Sequence, residues 1–248
     1  MKPVILVPTY NESEAIVELL NKLSELRRTR QFDVIVLDDK SPDGTADIVD
    51  NLNFSWVRVL RRPGKAGLGA AYRAGFAEVL STSNYTHVVT MDADGSHRVE
   101  DLPAMLDVEH TSELSITLGT RWIPGGSVIN WPLHRQMLSR AGTGYARFAL
   151  RIPLHDLTGG FRVYSTALLR RLRLDQMTAT GYCFQIEMAM ASVLAGASIR
   201  EVPITFVERI NGVSKMSRAI VVEALWQTTL WGASRTFRPN ADKLHYVK

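Results

Sequence analysis

Cysteine is nearly missing. Cys183 is the only one in 248 residues, so no internal disulfide can form, and a reducing compartment suits the chain. Long apolar runs are missing too. None reaches the roughly 18–20 residues that a membrane-spanning helix needs. Met1-Lys2-Pro3 leads straight into a strand-like run, so no leader peptide is expected. The expectation is a cytoplasmic protein, either soluble or lying on a membrane without crossing it. Neither sign of charge dominates: 29 basic against 25 acidic residues give a formal net charge of +4. That mild bias favours anionic partners such as phosphates, nucleotides or a lipid surface, and it is too small to argue for nucleic acid. There is no low-complexity segment and no internal repeat. What remains is a globular composition, 46% hydrophobic and 22% charged, in a chain the length of one large domain or one domain with an appendage.

Short apolar runs at 4–7, 34–37, 57–60, 86–91 and 114–118 read as strands, the first two as strands covered on both faces. Between them come helical signals. Asn11 with Glu14 marks a helix start, and Ile16, Leu19, Leu20, Leu23 and Leu26 follow at helical spacing. Thr45 can cap a second helix, residues 64–69 open a third that runs to about residue 80, and 100–110 reads as a fourth. Strand and helix thus alternate five times in about 120 residues, which predicts an α/β fold: a mostly parallel central sheet with helices on both faces. After Arg121 the pattern changes. Pro124-Gly125-Gly126 breaks the chain; 132–151 reads as a helix weakened by Gly142 and Gly144. Another helix is expected over 181–196, a strand pair or bent strand over 199–207, an amphipathic helix over 217–235, and a loose polar tail from 236.

The chemistry gathers where strands end. Asp92-Ala93-Asp94-Gly95-Ser96-His97 follows the fourth strand, and ligands of open α/β sheets bind at that end. Two carboxylates in a short polar turn suit Mg²⁺ or Mn²⁺, above all one that also takes oxygens from a diphosphate. Asp94 is the first choice for direct ligation, Asp92 for metal or sugar, and Ser96 is a weak ligand; the bland alternative is a turn before a helix. His97 is more simply a structural hydrogen-bonder. Leu37 and Asp39 end the second strand, where a carboxylate can accept from a ribose or base edge, while Asp38 suits a plain turn. The glycine-rich 64–69 lacks the Gly-Lys-Ser/Thr ending of a phosphate loop. Arg121 ends the fifth strand, where a guanidinium can pair with phosphate or make a surface ion pair. Arg135 and Ser139 stand four apart and share a helix face. Arg209 and Lys215 flank Asn211-Gly212 in a basic loop. Cys183 is most simply a small buried residue. Gln185 and Glu187 are polar positions opening an otherwise apolar helix.

These motifs resemble a known family. Pro8-Thr9-Tyr10-Asn11-Glu12, Asp38 to Thr45 (DDKSPDGT), Lys65-Ala66-Gly67-Leu68-Gly69 and Asp92-Ala93-Asp94 are similar to inverting, nucleotide-sugar-dependent glycosyltransferases with the GT-A fold. Asn130-Trp131-Pro132 with Arg135, Gly181-Tyr182-Cys183-Phe184-Gln185-Ile186-Glu187, and the run from Val202 to Arg209 with Ser214-Lys215 are more particular. They look like the dolichyl-phosphate (polyprenyl-phosphate) mannose synthases, and the likeness runs from Val4 to about Gly232.

The resemblance implies a single catalytic domain over 1–235, with a nucleotide-sugar half about 1–121, an acceptor and membrane-facing half about 122–235, and the tail 236–248. It implies that Pro8, Tyr10, Glu12, Leu37 and Asp39 hold the nucleotide of GDP-mannose. Asp92, Ala93, Asp94, Arg121, Arg209 and Lys215 then serve the donor's diphosphate and sugar. Arg135 with Ser139 meets the phosphate of a polyprenyl or dolichyl monophosphate. Membrane contact follows from such a substrate. Arg140, Arg147 and Arg151 form a stripe beside Trp131, Leu138, Phe148 and Leu150, and the 217–235 helix carries Leu225, Trp226 and Trp231. A peripheral place on the cytoplasmic face is implied, unaided or through a separate membrane-anchoring subunit. The nearest alternative is transfer of glucose or another sugar from a UDP donor. A receiver-type signalling domain would leave Asp94 and Arg209 unexplained, and a non-catalytic lipid-phosphate binder would have no use for intact carboxylates.

Overall fold

The structure is a computed structural model and describes residues 2–82, 84–208, 218–237 and 239–248. The first part runs β1 (Pro3–Thr9), α1 (Ser13–Arg27), β2 (Asp33–Asp38), α2 (Thr45–Asn51), β3 (Val57–Arg61), α3 (Leu68–Thr82), β4 (His87–Thr90), α4 (Leu102–Leu106) and β5 (Ser115–Thr120). The second runs β6 (Ser127–Ile129), α5 (Leu133–Leu150), β7 (Arg162–Ser165), α6 (Thr166–Arg171), α7 (Gly181–Leu194), β8 (Ser198–Pro203), β9 (Thr205–Val207), α8 (Arg218–Phe237) and α9 (Pro239–Tyr246). Seven strands form one sheet in the order β3-β2-β1-β4-β7-β5-β8. Every neighbouring pair is parallel except the two that involve β7. The expected mostly parallel sheet is there, with β7 as an unexpected antiparallel member.

Residues of β1 and β2 alternate between two cores. Val4, Leu6, Ile35 and Leu37 face α3 and α7, while Ile5, Val7, Val34 and Val36 face α1 and α4. That is the period of two that a strand imposes. Each such side chain contributes about 1.5–3 kcal/mol when fully buried. The helix α3 lies directly on the sheet: a Cβ added at Gly75 would sit 2.8 Å from Leu6 Cδ1 and 2.9 Å from Leu37 Cδ1.

Three expectations are corrected. The helix foreseen over 100–110 is only α4, preceded by a single 3-10 turn over Val99–Asp101. Asp101 is diverted from capping to β9, where it accepts the Thr205 N–H at 3.0 Å. The second concerns caps. No side chain at the start of α1 caps it. Instead the loop after β2 does so from outside: Thr45 Oγ1 accepts from Glu12 N–H at 3.2 Å and Asp43 from Ser13 N–H at 3.1 Å. Gly44, at φ +77°, is the N-cap of α2, and Thr45 is already its first residue. Third, the tail over 239–248 is not loose. It forms α9, whose last residue Tyr246 is buried together with Val247 after it. Tyr246 donates its hydroxyl to Glu187 at 3.2 Å and accepts Arg173 N–H at 2.9 Å, and Lys248 N–H reaches Arg171.

Glu187 links that tail to α7. Burial raises its carboxyl above the ordinary value, although Ala179 N–H and the Tyr246 hydroxyl both donate to it. A raised carboxyl keeps its proton in the folded state after the unfolded chain has lost it. Its contribution is therefore fully present below the ordinary carboxylate range and is lost as pH rises through the raised value. Glu187→Gln should be more heat-stable than the parent above that window, with a flatter profile. Thermal unfolding from about pH 4 to 8 measures this; parallel profiles for the two proteins would show that Glu187 is not the source.

Candidate active site

The turn after β4 is rigidly built. Asp92 N–H donates to His97 Nδ1 at 3.0 Å, and Ser96 N–H donates to the Asp94 carboxylate at 3.0 Å. Gly95 turns the chain at φ +76°, a conformation that favours glycine. His97 is buried, stacked on Phe161 at 5.0 Å and edge-on to Phe206 at 5.6 Å. Because its Nδ1 accepts, the neutral ring carries its proton on Nε2, 3.9 Å from the Asp92 carboxylate. His97 is thus a brace of the turn, as its sequence position suggests. Ser96 is buried and its carbonyl accepts Val207 N–H.

Facing this turn is a wall of arginines held on aromatic rings. Arg121 is buried beside Asp156, with Nε at 2.6 Å from Oδ2 and Nη2 at 2.8 Å from Oδ1, and Nη2 also reaches Thr158. Burial alone would push the Asp156 carboxyl up, but the charge and hydrogen bonds of Arg121 outweigh it and hold the carboxyl below its ordinary value. The expected phosphate contact of Arg121 would have to come from a guanidinium whose Nε and one terminal nitrogen already serve a carboxylate. Trp131 lies between Arg121, at 5.2 Å from its ring, and Arg135, at 4.2 Å; such cation–π contacts fix a guanidinium without neutralising it. Arg135 also pairs with Glu208. The small β6–β9 sheet makes this meeting possible, since it sets Phe206 against both Trp131 and His97.

Turn and wall enclose a cavity of about 390 Å³. Asp92, Asp94 and Ser96 line one side, and Arg121, Arg135 and Ser139 line another, so Arg135 and Ser139 do share the expected face of α5. Thr158, Gly159 and Gly160 line it as well. The remaining wall comes from α5 and α8 and is largely apolar, with Leu138, Tyr145, Ala224 and Leu225. Leu138 and Leu225 are also exposed at the surface, as are Leu133 and Met137 on α5 and Trp226 and Leu230 on α8.

The candidate nucleotide residues stand beside this cavity and do not line it. Pro8, Tyr10 and Glu12 follow each other out of β1 and are half-buried. Lys65 Nζ lies 4.1 Å from the Tyr10 ring centre. Asp39 is buried, paired with Arg62 and accepting from Ala66 N–H at 3.4 Å. Asp38 serves its own turn, accepting from Thr9 and Ser41. Leu37 is fully buried, its side chain in the core and its main chain paired between β1 and β3, which corrects its expected place against a nucleotide. Ala93 is buried as well. Arg209 and Lys215 lie outside the described residues.

The chain is similar to known proteins. A model of the family described as Glycosyl transferase family 2 matches residues 4–173. The undecaprenyl-phosphate mannosyltransferase of Micrococcus luteus is 45% identical over 234 residues, covering 94% of this chain and 94% of its own length. The polyprenol monophosphomannose synthase of Mycolicibacterium smegmatis is 42% identical over 235 residues, covering 93% and 87%. The chain belongs to glycosyl transferase family 2. Among solved structures, the mannosyl-3-phosphoglycerate synthase of Rubrobacter xylanophilus superposes with a TM-score of 0.65 at 17% identity, over 97% of this chain and 75% of that one. The glucosyl-3-phosphoglycerate synthase of Mycobacterium tuberculosis, in complex with Mn²⁺, UDP and glucosyl-3-phosphoglycerate, gives 0.64 at 18%, over 94% and 78%. The fold of this glycosyltransferase is GT-A.

For a family 2 glycosyltransferase the donor set at the turn is informative. Among the described residues no group of three or more His, Cys, Asp or Glu stands ready to hold a metal. Asp92 and Asp94 supply two carboxylates from one turn. Hard oxygen donors in that number fit a divalent cation that completes its shell from a diphosphate. Sequence reasoning missed Asp156, Thr158 and the buried Arg162, which holds the 157–160 loop by donating to the carbonyls of Leu157 and Gly159. It also missed Arg62 as the partner of Asp39. A basic residue beside Pro63, or an aspartate in His155-Asp156-Leu157, carries no local mark of its distant partner.

Proposed function

We propose that this glycosyltransferase moves mannose from GDP-mannose to a polyprenyl or dolichyl monophosphate, with inversion, on the cytoplasmic face of a membrane. The observation that carries the reading is the cavity itself: carboxylates on one wall, guanidinium groups on the other, and an apolar wall that runs out to exposed leucines. An amphipathic acceptor with an anionic head fits that sequence of surfaces. Relatives that act on undecaprenyl phosphate and polyprenol phosphate support it. No helix among the described residues is long and apolar enough to cross a membrane. Exposed apolar side chains of α5 and α8 offer a surface contact instead.

The mechanism needs no general base. A phosphate monoester has a second pKa of about 6 and is largely a dianion at neutral pH, so the nucleophile arrives already activated. The difficulty is charge. Two unit charges 4 Å apart repel by about 4 kcal/mol at an effective dielectric of 20, and acceptor and donor are both anionic. Arg135, on its indole platform, would take the acceptor phosphate, with Ser139 one turn on. Asp92 and Asp94 would hold Mg²⁺ or Mn²⁺, which when bound neutralises charge on the leaving diphosphate. Arg121, locked to Asp156, fixes the wall against which the donor lies.

A transfer assay with several nucleotide sugars and a polyprenyl phosphate tests this directly. GDP-mannose is expected to be the productive donor. Production of lipid-linked sugar from UDP-glucose alone would replace mannose by glucose, and no transfer from any donor would overturn the reading. Arg135→Ala should raise the KM for lipid phosphate about tenfold or more while GDP binding stays near that of the parent. Equal losses for acceptor and GDP would remove Arg135 from the acceptor site.

A further inference from the structure

Arg135, which would take the acceptor phosphate, already holds an anion. Its Nη1 donates to the carboxylate of Glu208, and both residues line the cavity. The rest of the guanidinium offers little. Its centre lies 4.2 Å from the Trp131 ring, and Nε is enclosed without a hydrogen-bond partner among the described residues. An oxyanion coming from the cavity can therefore reach Arg135 only at its terminal nitrogens, where Glu208 sits. A phosphate and a carboxylate brought together there repel each other, and each would make the same kind of charge-assisted hydrogen bond. The two anions compete for one cation.

The two partners are held unequally. Arg135 rises from α5 and lies on the indole. Glu208 is fixed through its main chain: its N–H donates to the Ile129 carbonyl at 3.0 Å, and Val207 N–H before it donates to Ser96 at 3.1 Å. The Glu208 side chain is 27% exposed, and Arg135 is its one ion-pair partner among the described residues. Rotation about its own side-chain bonds frees Nη1 with β9 left in place. An ion pair with that much exposure is weak enough for a better-held anion to displace.

Displacement has a uniform cost. It weakens every phosphate by the fraction of Arg135 that stands free, so it leaves the ratio between two phosphates unchanged. What it changes is which of them fills the site at a given concentration. Free phosphate has only the guanidinium to hold it. A lipid phosphate also buries apolar surface against Leu138, Tyr145, Ala224 and Leu225.

We propose that Glu208 is a resident competitor for the acceptor phosphate, which keeps small free phosphates off Arg135 and yields to a phosphate carried on an apolar chain. The proposal rests on the acceptor-site reading above.

The test uses the full chain at saturating metal, with polyprenyl phosphate as acceptor, inorganic phosphate as competing inhibitor, and GDP. In Glu208→Gln the KM for polyprenyl phosphate and the inhibition constant of inorganic phosphate should both fall by about fivefold or more, by the same factor, while GDP affinity stays within about twofold of the parent. Glu208→Ala should act in the same direction and decides the matter if Glu208→Gln does not fold. In an Arg135→Ala background the substitution should lose this effect, because the competition is for Arg135. A raised KM for the lipid in Glu208→Gln, the sign of a residue that only positions Arg135, overturns the proposal. So do unchanged constants, or an equal gain with Arg135 removed, the sign of plain repulsion. If Arg135→Ala itself leaves the KM for lipid phosphate at the parental value, the acceptor-site reading falls and this proposal with it.

Discussion

Asp94→Ala should reduce sugar transfer by about a thousandfold or more, with the fold intact. The turn explains why the loss should exceed that at any other single position. Asp92 stands close to the brace His97, with its carboxylate 3.9 Å from Nε2. Asp94 is aimed by Ser96 N–H from the opposite end of the same turn. Without it a divalent cation would have one protein carboxylate, and the diphosphate would leave poorly compensated. Removing the acceptor of the Ser96 N–H costs about 1 kcal/mol, too little to unfold a domain stable by about 5–15 kcal/mol. Initial rates across a Mg²⁺ or Mn²⁺ titration, beside a melting curve, measure both quantities. Near-parental transfer at saturating metal would remove Asp94 from the metal role.

Asp156→Ala is expected to cost about 3–5 kcal/mol of stability, because it strips a buried cation of its counter-charge. The effect should be at the upper end. Asp156 is wholly enclosed, and besides Arg121 it accepts from Thr158 and Gly159 N–H, while its charge is also felt by Arg162. Two guanidinium groups would then share one interior with no carboxylate between them. Replacing Arg121 and Asp156 together by apolar residues should recover much of the loss, since it is the unpaired charge that is costly. Urea unfolding of the single and double variants separates the two cases. The acid limb of stability follows from the same pair. A carboxyl held below its ordinary value stabilises above the ordinary carboxylate range, and that contribution is lost as pH falls through the lowered value.

What could be read in the chain was whatever depends on near neighbours. The runs at 4–7 and 34–37 show their strands because both faces are apolar, and Asp92-Ala93-Asp94 shows its turn because both carboxylates sit within three residues. Arg135 and Ser139 were placed on one face by spacing alone, and the cavity has both. Features that rest on distant partners were hidden. The strand β7 carries Arg162 in its first position, fully buried; an arginine reads as surface until Leu157, Gly159 and Gln185 carbonyls close around it. The tail looked loose because its polar composition hides that Tyr246 and Val247 are enough to dock it. The start of α1 looked self-capped, and its caps come from 30 or more residues away.

The position of β7 sets an order of events during synthesis. The strands β3, β2, β1 and β4 are all made by residue 90 and can pair as they leave the ribosome. The far side of β4 has no neighbour until residues 162–165 arrive, because β5 joins the sheet only through β7. For some 70 residues of elongation the nascent sheet presents an open edge next to the 92–97 turn, the kind of edge on which chains associate. At about 5–20 residues per second that interval lasts several seconds. Slow translation between β4 and β7 should therefore favour aggregation, and fast translation there should favour yield.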